Sequence, residues 1–150
     1  MSFPALACQC PETVTEMNLG KYNRFDLITS GVVDSVSSCS HSQILYFSVN
    51  TSYKGNVTGR IQLTGNDCNS TCGLRLEKGK SYILYALRNE DNTYTLPRCT
   101  ASHSILTDEE IKAEEEKLEN NAAGIQTFSH DLKVWQQEIV VLEQLLKTEG

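Results

Sequence analysis

"SQILYFSVNTSYKG" (42–55) decides how this chain is read. Aromatic and β-branched residues crowd the stretch and alternate with polar ones, the pattern of a half-buried strand rather than a helix. Lys54-Gly55-Asn56 then supplies a turn, and "GRIQLTG" (59–65) reads as the returning strand, closed by Gly65-Asn66-Asp67. Upstream, "RFDLITSGVVDSVS" (24–37) alternates in the same way around Gly31, a glycine placed where a strand bulges or bends. Downstream, "KSYILYALR" (80–88) is an apolar strand. The polar turn Asn89-Glu90-Asp91-Asn92 leads to "TYTLPRC" (93–99), where Pro97 marks an edge or a strand end.

Five strands within about eighty residues, without a helical period among them, predict a mainly β body. A five-stranded Greek-key barrel of the OB type fits the count, and pattern alone leaves a sandwich open. The tail follows another rule. Thr107 with Glu110 forms a capping box, and acidic residues fill the first helical turn behind it. Ile111, Leu118, Ile125, Leu132, Ile139 and Leu146 recur every seventh residue, joined by Phe128, Trp135 and Leu142. Gly124 in "ENNAAG" (119–124) predicts a break, with Thr127 or Ser129 capping a second helix. The tail is therefore one long helix or a helical hairpin. It either lays its stripe on the barrel or self-associates through 125–146.

Charge divides the 150 residues at the same place. Residues 1–106 hold nine Lys/Arg and eight Asp/Glu, and residues 107–150 hold four and eleven. A near-neutral body with an acidic tail argues against nucleic acid and anionic membrane as partners, since both require a basic patch. No apolar run reaches the roughly 20 residues of a membrane-spanning helix. The six cysteines, Cys8, Cys10, Cys39, Cys68, Cys72 and Cys99, all lie in the body, an even count that predicts disulfides in an oxidising compartment. Their spacing is not that of a zinc site, and His41, His103 and His130 are scattered. No cofactor, no resident metal and no enzymatic constellation is expected, because no Ser/His/Asp or Cys/His set stands out. Ala5-Leu6-Ala7 has the small-x-small form that precedes signal-peptidase cleavage, so 1–7 reads as a signal-peptide remnant or an artificial leader. Asn50, Asn56 and Asn69 head N-glycosylation sequons. The expected location is extracellular, or periplasmic or cell-surface in a bacterium.

The order of the cysteine motifs is specific. Cys8-Gln9-Cys10, Ser52-Tyr53-Lys54-Gly55, Thr71-Cys72-Gly73-Leu74, the run from Lys78 to Leu84, and Tyr94-Thr95-Leu96-Pro97-Arg98-Cys99 follow one another along the body. This set resembles the netrin-like domain, most closely the N-terminal domain of the tissue inhibitors of metalloproteinases. The resemblance covers 8–106 and leaves 107–150 as an acidic helical tail. It implies an OB-fold barrel with Cys8 paired to Cys72, Cys10 to Cys99 and, as the remaining pair, Cys39 to Cys68.

It also implies a mechanism. In those inhibitors the amine and carbonyl of the first cysteine chelate the zinc of a metalloproteinase, and the next side chain enters the pocket beside the metal. Carried over, Cys8 is the chelator, Gln9 the pocket residue, and Cys10, Pro11, Ser70, Thr71 and Cys72 complete the inhibitory ridge. Three features depart from the family pattern. Residues 1–7 precede Cys8, Gln9 stands where Ser or Thr is usual, and the Asn69 sequon adjoins the ridge. The alternative expectation is a non-inhibitory extracellular module that binds another protein and assembles through its helical tail.

Overall fold

The structure, a computed structural model, describes residues 17–37, 42–67, 76–97 and 102–149. Nine elements follow in order: α1 (Leu19–Arg24), β1 (Leu27–Val36), β2 (Ser42–Lys54), β3 (Arg60–Asp67), β4 (Ser81–Arg88), β5 (Tyr94–Thr95), β6 (His103–Ser104), α2 (Asp108–Lys117) and α3 (Ala122–Glu149). The sheet runs β1-β2-β3-β5-β4-β6, and β1 also pairs with β4. That additional pairing closes a five-stranded barrel, OB-like, with β6 laid outside against β4. Only β3–β5 is parallel. The sandwich is excluded because β1 bonds to β2 on one side and β4 on the other, which leaves no seam between two sheets.

Closure explains Gly31. The residue sits opposite Val49 of β2 and Tyr82 of β4, beside a register shift in β1. A β-carbon there would collide with the backbone carbonyl oxygen of Ser48, so the strand can be pinched between two neighbours only at glycine.

Alternation along β4 builds two cores. Tyr82, Leu84 and Ala86 point into the barrel with Leu27, Val33, Leu45, Phe47, Leu63, Leu76 and Leu96. Ile83 and Tyr85 point outward, yet both are fully buried, because Met17, Tyr22, Phe25, Ile28, Tyr53 and Leu142 cover them. A strand covered on both faces has no polar side, which is why 80–88 reads as uniformly apolar. The outer cover is built from α1 and α3. Asn18 caps α1 by accepting from the Lys21 backbone N–H at 2.9 Å. Tyr22 on α1 donates its hydroxyl to Tyr53 O, and Lys54 Nζ returns to Tyr22 O at 3.0 Å.

Three expectations need correction. The body contains a short helix, α1, where none was expected. β5 is shorter than expected, pairing only Tyr94–Thr95, although Leu96 N–H still donates to Thr64 O just before the strand end expected at Pro97. The second tail helix is capped by Asn121, whose side chain accepts from Gly124 N–H at 2.9 Å, and not by Thr127 or Ser129. The Thr127 hydroxyl donates back to Ala123 O inside the helix. The Thr107–Glu110 capping box is present in both directions.

Candidate functional site

Every residue of the expected ridge, Cys8, Gln9, Cys10, Pro11, Ser70, Thr71 and Cys72, lies outside the described residues, as do Cys39, Cys68, Cys99 and Asn69. The three expected disulfides lie there with them. What is described is the frame these segments leave and enter. Met17, downstream of Pro11, is buried in the outer core. Leu76 and Leu96, which flank the segments carrying Cys72 and Cys99, are buried in the barrel core. Buried apolar residues therefore adjoin the segments that carry Cys10, Cys72 and Cys99.

The outer core carries the most unusual chemistry of the described residues. Successive turns of α3 bury Val134, Glu138 and Leu142, leaving Glu138 only 2 % exposed. A carboxylate so deeply buried must be compensated. Tyr85 of β4 donates its hydroxyl to Glu138 Oε1. His103 of β6 lies with Nε2 2.8 Å from Glu138 Oε2, and its Nδ1 is 3.0 Å from the carbonyl oxygen of Ser104. Both ring nitrogens thus lie within hydrogen-bond distance of an oxygen. Trp135, one turn before Glu138, stacks on the His103 ring with centroids 4.8 Å apart. Lys21 of α1 stands over the Tyr85 ring. Four elements, α1, β4, β6 and α3, meet at one polar node.

Burial, and then the negative charge of Glu138, push the Tyr85 phenol far above its ordinary range. The fold therefore holds a proton that the unfolded chain releases above about pH 10. Tyr85 contributes stability that is fully present below that pH and lost as pH rises beyond it. Urea unfolding between about pH 8 and about pH 11 should show the native protein losing stability more steeply than Tyr85→Phe, by up to about 1.4 kcal/mol per pH unit. Parallel curves would contradict a buried, neutral Tyr85.

Sequence reading missed this node. Glu138 interrupts an apolar stripe between Trp135 and Leu142, and that interruption was its only signal; His103 and Tyr85 carried none. Glu138 and Tyr85 are buried within it, and His103 and Trp135 are half-buried at its edge.

An open cleft of about 760 Å³ lies elsewhere, between the β2–β3 turn, α1 and the end of α3. Tyr22, Tyr53, Val57 and Leu146 supply apolar walls, and Asn50 and Asn56 line it from β2 and from the turn. Among the described residues no group of three or more His, Cys, Asp or Glu could hold a metal ion, and no helix is long and apolar enough to cross a membrane. No family model and no curated protein matches the chain.

Proposed function

We propose that the chain is an extracellular inhibitor of a zinc metalloproteinase, acting through Cys8 once the residues before it are removed. One observation carries the reading: the chain holding the ordered cysteine motifs folds into the closed five-stranded barrel that those motifs lead one to expect.

The chemistry follows from an amine. A backbone amine freed at Cys8 would have a pKa of about 7.7–8.0, so part of it is unprotonated near neutral pH. Together with the Cys8 carbonyl it can occupy the open position that a catalytic zinc keeps for water or substrate. Gln9 would then enter the adjoining pocket, with its amide requiring partners there. Disulfides from Cys8 and Cys10 to the body would hold this edge in its bound form and reduce the entropy lost on docking.

A non-inhibitory module assembling through 125–146 finds less support. The part of that stripe from Trp135 to Leu145 faces His103 and the outer core, and is not free for a partner helix. N-terminal sequencing of the naturally secreted protein tests the proposal. A mature end at Cys8 is expected; retention of any residue before it would exclude chelation.

A further inference from the structure

The cleft beside the β2–β3 turn has no part in the chemistry proposed for Cys8, and the sequons around it are equally unused. Asn50-Thr51-Ser52 and Asn56-Val57-Thr58 both border this one cleft. Asn50 and Asn56 are both exposed. They differ in backbone. Asn50 lies inside the 13-residue strand β2. Asn56 stands on the turn, between Gly55 and Gly59, whose positive φ values of 88° and 71° lift the chain away from the sheet. A turn of this kind presents a side chain to a modifying enzyme more readily than a paired strand does.

The cleft suits a sugar. Its volume lies in the range of small-ligand sites, which combine apolar walls with a few convergent polar groups. Leu146, at the end of α3, is 40 % exposed and faces the cleft, where it offers an apolar surface to the C–H face of a pyranose. The hydroxyls of Ser52 and Thr58, which line the cleft, offer partners for its hydroxyl and acetamide groups.

We propose that Asn56 is an N-glycosylation site whose first N-acetylglucosamine packs into this cleft against Leu146. In the transfer, Asn56 Nδ2 forms a bond to the anomeric carbon of an oligosaccharide carried on a lipid diphosphate. The bond from that carbon to the diphosphate breaks, the diphosphate leaves with the electron pair, and the amide gives up one proton. The glycan then bridges the β2–β3 turn and the last turns of α3. The proposal rests on the export put forward above and not on inhibition.

The test uses the full chain, carried into the secretory pathway of animal cells by a cleavable leader. Peptide mapping after enzymatic deglycosylation should find Asn56 converted to Asp in the native sequence and unconverted in Thr58→Ala. The leader is supplied, so an unmodified Asn56, or modification of Asn50 alone, overturns this proposal whatever the natural N-terminus proves to be. A second measurement reads the packing. Amidase should release the Asn56 glycan from folded Leu146→Ser several-fold faster than from the native sequence, because that side chain no longer covers the first sugar. Equal rates would overturn the placement in the cleft.

Discussion

Replacing Glu138 with alanine should destabilise the fold by about 2–6 kcal/mol, because two partners each lose an acceptor at about 1–3 kcal/mol. The substitution deletes two hydrogen-bond acceptors at once. Tyr85 is left with a fully buried hydroxyl, and His103 with an Nε2 that faces no carboxylate. Their desolvation is then uncompensated, and each unsatisfied group adds about 1–3 kcal/mol. Glu138→Gln should lose less, since its carbonyl oxygen can still accept from one partner. Replacing Glu138 by leucine together with His103→Leu and Tyr85→Phe should recover much of the loss, because an apolar node of similar volume no longer requires pairing. Urea unfolding of the three variants distinguishes these outcomes. A loss under about 1 kcal/mol for Glu138→Ala would place the carboxylate in water and the helix off the barrel.

The docking of α3 predicts a second large effect. Leu142 is fully buried against Met17, Tyr22, Phe25 and the outward side chains of β1 and β4. Leu142→Ala should cost about 2–5 kcal/mol, combining lost transfer energy with the cavity left behind. Val140, two residues away and 54 % exposed, provides the contrast. Val140→Ala should change stability by no more than about 0.5 kcal/mol. A helix that used its seam for self-association would behave otherwise: its stability would depend on protein concentration. Equal effects at the two positions, or a midpoint that shifts with dilution, would contradict intramolecular docking.

How far the fold could be read in advance depended on which residues carried their own periodicity. β1 to β4 were legible because side chains alternate across a pleat and turn residues separate them. The strand ahead of Pro97 was legible, but its pairing covers only Tyr94–Thr95, a limit that composition does not show. β6 has two residues, too few for any period. α1 has six, and its helical state depends on the Asn18 cap and on Tyr22 being buried under α3.

The tail was legible as helix but less so as a face. A strict seven-residue repeat places Leu132, Ile139 and Leu146 on one line, whereas the barrel buries Val134, Glu138 and Leu142. A straight helix of 3.6 residues per turn drifts from a 3.5 repeat, and the receiving surface selects which residues it takes. The Glu138 node was hidden for a related reason. A buried carboxylate becomes intelligible only once its partners from β4 and β6 are known, and these lie far away in sequence. The expected ridge rests on the family resemblance, and its residues lie outside those described.

The central claim concerns the backbone of Cys8, and inhibition tests it most directly. The chain beginning at Cys8 should be compared with the same chain carrying one additional alanine before it, against a zinc endopeptidase, with folding matched by unfolding midpoint. Loss of a zinc ligand worth about 3 kcal/mol corresponds to a weakening of roughly 100-fold. The account predicts that the chain beginning at Cys8 inhibits and that the extended chain is weaker by at least that factor. Equal inhibition by both, or none by the chain that begins at Cys8, would contradict it.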